Sequence, residues 1–134
     1  RPSTPLGQVR VALEQQLAQA VATQGLRAVI VRAGDFFGAG QGTWLDLVIA
    51  RKLCQGVMTW PGLLDVPHAW AYLPDLAQAF VRVAAAPAPA PGQLPCLAFA
   101  GHTTTGHDWQ TVLAEWAQEQ GWPRAGALRV QSLP

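Results

Sequence analysis

The chain has 134 residues, half of them hydrophobic and 13% charged, and its formal net charge is +1. This length and apolar content predict a single domain with a sizeable core and exclude an intrinsically disordered protein. The low net charge and the lack of a basic stripe argue against a nucleic-acid partner. The apolar stretches fall short of the roughly 20 residues of a membrane span, and no pattern resembles a signal peptide. We therefore expect a cytoplasmic protein that binds neither nucleic acid nor membranes.

The first predicted element is an amphipathic helix. Thr4 is a suitable N-cap, Pro5 suits the first helical position and Gly25 suits the C-terminal end. Apolar residues at three- and four-residue steps form one face: Leu6, Val9, Leu13, Leu17 and Val21. The helix begins so close to Arg1 that we expect the chain to be a fragment of a larger fold.

A buried strand should follow this helix. Residues 26–33, LRAVIVRA, are apolar on both parities, which is typical of a parallel strand covered on both faces. A helix followed by such a strand predicts an α/β fold.

Thr43 and Asp46 form a capping-box pattern that opens a second helix. Its apolar positions are Leu47, Ile49 and Leu53, and it should end at Gly56. A strand over residues 57–60, VMTW, should end at the Pro-Gly turn that follows it.

The next segment, residues 68–86, should begin extended and become helical near Pro74 and Asp75, because an acidic residue favours a helix N-terminus. Residues 85–92 are rich in alanine and proline and predict a surface loop.

The last third of the chain predicts a strand, a helix and a final strand. The strands are residues 94–100 and 127–133, and between them Thr105 and Asp108 form another capping-box pattern, with Gly121 at the helix end. One face of this helix should be apolar: Trp109, Val112, Leu113 and Trp116.

The two cysteines, Cys54 and Cys96, stand among apolar residues. Neither has a second cysteine or a histidine at metal-ligand spacing, so we expect no metal site. We expect buried free thiols, and a disulfide between them is the alternative.

The segment AGDFFGAG, residues 33–40, is the candidate binding loop, because ligands of open α/β sheets bind beyond the carboxyl ends of the strands. Asp35 is placed to accept hydrogen bonds from a ligand, and Phe36 or Phe37 to pack on a ring. The alternative is an ordinary turn whose aromatic residues fill the core and whose aspartate caps a backbone group.

The segment that starts at Arg32, Arg-x-Gly-Asp-Phe-Phe-Gly, resembles the Arg-Pro-x-Asn-x-Tyr-Gly-Pro loop of extended short-chain dehydrogenases/reductases, the NAD-dependent epimerase/dehydratase family. Ala33 and Ala39 replace the two prolines, Asp35 replaces the asparagine, and Phe37 replaces the tyrosine, so the resemblance is to an atypical branch. Residues 69–81, AWAYLPDLAQAFV, are similar to a second family segment that ends in Val-Asp-Asp-Leu/Val-Ala. In order and spacing, the resemblance covers nearly the whole chain as the C-terminal half of such an enzyme.

This resemblance implies the C-terminal part of a Rossmann-like parallel sheet with a small substrate-binding subdomain, in which residues 1–134 form one partial domain. It implies that Ala33 and Gly34 lie near the nicotinamide of NAD or NADP, and that Asp35, Phe36 and His68 bind substrate. For His68 the alternative is a polar loop histidine.

Three aromatic residues outside this set have simpler expected roles. His102 and His107 flank a threonine-rich loop and should be solvent-exposed or capping residues, with metal ligands as the alternative. Trp70 is the tryptophan most suited to reach a pocket, whereas most of the other tryptophans should pack in the core or in a subdomain.

The family has a Tyr-x-x-x-Lys pair in the helix that precedes the strand predicted over residues 26–33, and other residues replace both members here. In the family a glutamate often follows the lysine by four residues. If Glu14 is that glutamate, Leu6 stands at the tyrosine position and Arg10 at the lysine position. Leu6 cannot transfer a proton, whereas Arg10 keeps a positive charge that can contact cofactor ribose or phosphate, unless it is simply an exposed helix arginine.

No glycine-rich dinucleotide fingerprint follows a strand in this chain, so nothing in it cradles a pyrophosphate. We expect the chain alone to be inactive, and its partners to be a small-molecule substrate and a missing N-terminal half. An exposed apolar strand edge should favour a homodimer. The leading hypothesis is the substrate-side part of an oxidoreductase acting on a sugar nucleotide or a small hydroxy or carbonyl compound. The alternative is a non-catalytic dinucleotide sensor or protein-binding member of the same fold.

Overall fold

The computed structural model describes residues 4–122 and 128–133, so Ala127 of the predicted last strand lies outside the described residues. These residues group into two compact units. Unit 1 contains the residues up to Arg32 together with Phe80–Ala98, and unit 2 contains Ala33–Ala79 together with the described residues from Phe99 onward. No helix in the described part of the chain is long and apolar enough to cross a membrane.

Unit 1 begins with helix α1, Pro5–Gln24, and its caps are as predicted. The Thr4 hydroxyl accepts a hydrogen bond from the Gly7 backbone N–H at 3.1 Å. Gly25 ends the helix in the left-handed conformation, with φ of 68°. Most of the predicted apolar face is exposed, although Val21 is buried.

A two-stranded parallel sheet completes unit 1. Strand β1, Ile30–Arg32, pairs with strand β5, Cys96–Ala98. β1 is half-buried to exposed and β5 is exposed, so the prediction of a strand covered on both faces is wrong for this unit. The pattern indicates a strand that is apolar on both sides, and it carries no information about what covers those sides.

The cysteines are free, as predicted, but both are exposed rather than buried. Cys96 lies on the exposed strand β5, and Cys54 lies on a 3₁₀ turn, Leu53–Gln55, of which only Leu53 is buried. Apolar neighbours in sequence therefore did not indicate burial here, because all of β5 is exposed and only Leu53 of the 3₁₀ turn is covered.

Unit 2 contains two small sheets. Strand β3, Val57–Trp60, runs parallel to β7, Arg129–Ser132. Strand β4, His68–Tyr72, lies between β2, Asp35–Phe37, which is parallel to it, and β6, His102–Thr104, which is antiparallel.

The predicted helix between Thr43 and Gly56 is broken into two short turns. The capping residues behave as expected, because the Asp46 carboxylate accepts from the Thr43 N–H at 3.1 Å and from its hydroxyl at 2.6 Å. A wide helical turn, Leu45–Ile49, follows and closes with the Ala50 N–H donating to the Leu45 carbonyl. The 3₁₀ turn then ends at Gly56, whose φ is 74°. The register of capping and apolar residues fits a helix, but it does not exclude an interruption within it.

Helices α2, Leu73–Ala85, and α3, Gly106–Glu119, form where the sequence predicts them. The Thr105–Asp108 capping box of α3 is complete in both directions. The buried stripe of α3 differs from the predicted one, since Val112 and Trp116 are exposed whereas Leu113 and Ala117 are buried.

The hydrophobic core of unit 2 gathers its buried side chains from the sheets, the turns and α3. Its buried members are Ile49, Leu53, Met58, Trp60, Trp70, Leu113, Ala117 and Leu128. Trp70 is only 1% exposed, so the prediction that it reaches a pocket is wrong. It packs on Trp109 with ring centroids 4.9 Å apart, because its position on the central strand β4 turns the indole toward α3.

Candidate functional site

The candidate binding segment contains a strand that the sequence did not predict. Asp35, Phe36 and Phe37 form β2 and pair with Trp70, Ala71 and Tyr72 of β4. The prediction of a continuous loop over residues 33–40 is therefore wrong at its centre. A three-residue strand between glycines carries too little periodicity to be recognised without its pairing partner.

Two glycines let the outer strands of this sheet approach β4 very closely. A Cβ atom on Gly34 would lie 1.9 Å from the Ala69 carbonyl oxygen, and one on Gly101 would lie 2.0 Å from the Trp70 carbonyl oxygen. Neither position has room for a side chain. The close packing of strands therefore explains Gly34 without any ligand.

Alternation along β2 separates its side chains between the two faces of the sheet. Asp35 and Phe37 share the face of Trp70 and Tyr72, whereas Phe36 lies on the opposite face. Phe37 contacts the rings of Tyr72, His102 and Trp109, with centroids 5.3, 5.7 and 5.5 Å away.

Phe37 thus packs against other aromatic rings, as the alternative of an ordinary turn predicted. Asp35 and Phe36 remain available to a ligand. Phe36 is 47% exposed. Asp35 is exposed, and its carboxylate takes part in no hydrogen bond or ion pair found among the described residues. Its carboxylate is therefore not used as a cap and can accept hydrogen bonds from a ligand hydroxyl or amide.

The turn after β2 is held in the left-handed region and lies against Tyr72. Gly38 has φ of 80°, and a Cβ atom there would lie 2.3 Å from Cε2 of the Tyr72 ring. Ala39 follows with φ of 60°, which non-glycine residues adopt infrequently. The backbone after Phe37 is consequently set by the tyrosine that stands in register with it.

His68 lies on a strand, so its alternative as a polar loop histidine is wrong. It is half-buried at the start of β4, opposite Thr104 of β6, and its ring meets the Trp60 ring edge-on at 5.7 Å. His68 and Asp35 lie on the same face of the sheet, because Asp35 pairs with Trp70 two residues further along β4. The predicted substrate residues Asp35 and His68 therefore share a face that Phe36 does not.

The predicted cofactor residues are divided between the two units. Ala33 and Gly34 are half-buried at the start of unit 2. Arg10 belongs to unit 1, where it is exposed on α1, one turn before Glu14. The Glu14 carboxylate accepts a 2.6 Å hydrogen bond from Arg32, so it fixes α1 to the end of β1.

Leu6, at the family's tyrosine position, is 62% exposed near the N-terminus of α1. A leucine there offers neither a proton nor a hydrogen bond.

The two remaining histidines are exposed, as predicted. His102 stands on β6 with its ring against Phe37, and His107 stands in the first turn of α3 with Nε2 3.1 Å from Oδ1 of Asp65. Within residues 4–122 and 128–133, no three His, Cys, Asp or Glu side chains converge as metal ligands would.

Sequence reasoning missed the residues that support the site. The rings of Phe37, Trp109, Trp70 and Trp60 follow one another in contact, and Phe37 and Trp70 lie on the same face of the sheet as Asp35 and His68. Gly101 lets β6 close against the other side of β4. These residues are distant in sequence, so no local spacing could have placed them together.

No protein-family description matches the sequence, and no curated protein matches it at a significant level. Among solved structures, the chain is similar to DesIV, a dTDP-glucose 4,6-dehydratase from Streptomyces venezuelae, whose crystal structure has NAD and TYD bound. The TM-score is 0.73 at 17% sequence identity, and the match covers 100% of this chain and 40% of that one. The chain therefore spans about two fifths of the length of that dehydratase. The predicted fold class is confirmed as α/β with parallel strands, matching part of a Rossmann-like protein.

Proposed function

We propose that this chain is the C-terminal, substrate-side portion of an NAD(P)-dependent epimerase/dehydratase-like oxidoreductase that acts on a sugar nucleotide or a small hydroxy or carbonyl compound. The observation that carries the proposal is the fold likeness along the whole chain to a sugar-nucleotide dehydratase. The resemblance of residues 32–38 and 69–81 to two segments of that family supports it independently, because these two segments form neighbouring strands of one sheet.

The chain's own residues would contribute positioning and binding. The free carboxylate of Asp35 would accept hydrogen bonds from a substrate hydroxyl, and the exposed ring of Phe36 would pack on an apolar face of substrate or cofactor. His68 would donate a hydrogen bond to an anionic group, with its ring orientation set by Trp60.

The nicotinamide cofactor would supply hydride transfer. The described residues fit it only in part. The backbone at Ala33 and Gly34 and the positive charge of Arg10 are available to it, but the space beside Gly34 is filled by the Ala69 carbonyl and no glycine fingerprint is present. We therefore assign the phosphate cradle and the proton-transferring groups to polypeptide outside these residues.

The alternative function is a non-catalytic member of the same fold that senses a dinucleotide or binds a protein. Leu6 and Arg10 in the positions of the tyrosine and lysine favour it, because Leu6 cannot act as an acid or base in place of the tyrosine.

The coding sequence upstream of Arg1 separates the two functions. We expect it to encode a glycine fingerprint and an active-site serine or threonine. The longer protein should convert one member of a panel of sugar nucleotides and small hydroxy or carbonyl compounds, measured by chromatography of the products, because an epimerase or dehydratase returns the hydride to its product and leaves no net change in NAD(P)H. Replacing Asp35 with alanine should lower kcat/KM about tenfold or more, because a charge-assisted hydrogen bond contributes about 1.5–3 kcal/mol.

Glu119→Gln is the matched control, since it removes an exposed carboxylate from the end of α3. The control should retain full activity. A longer protein that binds NADH but turns over no substrate would establish the alternative, and an unrelated domain encoded upstream would end the enzyme proposal.

A further inference from the structure

A surface cavity of about 200 Å³ in unit 2 carries two positive charges, those of Arg51 and Lys52. Its apolar lining comes from Leu47, Val48 and Leu133, and its remaining polar lining from Thr59 and Gln131. None of the described residues that line it is acidic, so the cavity is an environment for an anion.

The floor of the cavity is the face of the β3–β7 sheet that points away from the core. Thr59 and Gln131 are paired in register and share this face, whereas Met58 and Trp60 alternate to the other side and are buried in the core. Thr59 is only 8% exposed, and its hydroxyl makes no hydrogen bond found among the described residues. A hydroxyl and an amide are therefore both free to donate to a bound ligand.

The backbone that carries the two cations is held against β3. The Lys52 carbonyl accepts hydrogen bonds from the Gln55 N–H at 2.9 Å and the Val57 N–H at 3.2 Å. Neither Arg51 nor Lys52 takes part in an ion pair found in residues 4–122 and 128–133. Asp46, the nearest acid along the chain, is bonded to Thr43. The two charges are therefore available to a ligand.

We propose that this cavity binds a small molecule that carries a phosphate monoester next to a short apolar group. A phosphate dianion matches two cations, and its oxygens accept from the guanidinium, the ammonium, the Thr59 hydroxyl and the Gln131 amide. The apolar part of the ligand packs on Leu47 and Leu133. None of these residues has a role in the function proposed above, so the site is a second and separate one.

Phenyl phosphate is the probe, titrated into the 134-residue chain and followed by the backbone amide signals of Thr59 and Gln131. We expect saturable shifts with a Kd on the order of 1 mM. Arg51→Gln and Lys52→Gln should each raise the Kd about tenfold. Arg82→Gln, which removes an equal charge from an exposed position of α2, should leave the Kd within about twofold.

Two further ligands and two further variants make the result decisive. Inorganic phosphate should bind more weakly than phenyl phosphate because it lacks the apolar part, and benzoate should bind more weakly because it carries one charge. Gln131→Glu is the substitute test if Arg51→Gln does not fold. It keeps an exposed position polar, and its added negative charge should abolish binding. Asp35→Ala should leave the Kd unchanged, which separates this site from the proposed substrate site.

The proposal is overturned if phenyl phosphate gives no saturable shift, if benzoate binds as tightly, or if Arg82→Gln weakens binding as much as Arg51→Gln.

Discussion

Gly34 and Gly101 stand where the backbone of β4 leaves no room for a side chain. Their missing Cβ positions are filled by the carbonyl oxygens of Ala69 and Trp70. Backbone atoms cannot rotate away as a side chain does, so an added methyl group must push β2 or β6 off the central strand.

We predict that Gly34→Ala costs about 2 kcal/mol or more of stability and separates β2 from β4. Native-state hydrogen exchange should show faster exchange of the amides that join these two strands, with the β3–β7 amides still protected. Gly25→Ala is the matched control, because nothing lies within 4 Å of its Cβ position and only its left-handed φ is strained. Unchanged protection between β2 and β4 in Gly34→Ala would show that the strands are not packed this closely.

At the scale of single residues, the sequence predicted the exposed candidate residues better than it predicted which residues are buried. It predicted Asp35 and Phe36 as available groups, and both are exposed. It placed Trp70 in a pocket and the cysteines in the core, and each of these was wrong. Exposure depends on which elements cover a residue, and that information lies in distant parts of the chain.

Helix α3 shows how one carboxylate fixes the start of an element. Oδ2 of Asp108 accepts from the Thr105 N–H and from the Thr105 hydroxyl, both at 2.7 Å. These two hydrogen bonds hold the pKa of Asp108 below its usual value, and the one from the Thr105 backbone has the larger effect. The ionised form is therefore preferred in the folded state.

This predicts a pH dependence of stability that belongs to α3. Because the folded-state pKa is lower than the unfolded-state value of about 4, the contribution is present above pH 4 and is lost as the pH falls through the folded-state pKa. Urea unfolding between pH 6 and pH 2 should therefore show a shallower acid loss for Asp108→Asn than for the unchanged chain.

Glu115→Gln is the control for this experiment, because it removes an exposed carboxylate from the middle of the same helix. It should keep the acid loss of the unchanged chain. Parallel curves for Asp108→Asn and the unchanged chain would contradict the role given to the capping box.

Elements with local signals were predictable, and elements that depend on pairing were not. The caps at Thr4, Thr105 and Gly25 placed α1 and α3 correctly, because caps satisfy backbone groups within one turn. β2 and β6 went unrecognised because each has three residues and forms only by pairing with β4. The broken helix after Thr43 had the cap and the apolar residues of a continuous one.

At the scale of the molecule, alternation of helices and strands was enough to predict the α/β class. It did not predict how much apolar surface stays uncovered. Leu6, Val9 and Leu13 on α1 are 62%, 55% and 58% exposed, and β5 is exposed along its length. Association through such surface, with a second copy or with a proposed N-terminal half, stays a prediction.

The central claim is that these residues form the substrate side of a protein whose dinucleotide cradle is encoded elsewhere. The most direct test is a calorimetric titration of NADH and NADPH into the 134-residue chain, beside the same titration of the protein extended by its upstream coding sequence. We predict stoichiometric binding of one dinucleotide by the extended protein and none by the 134-residue chain. Stoichiometric binding by the 134-residue chain alone, or no binding by the extended protein, would contradict the account.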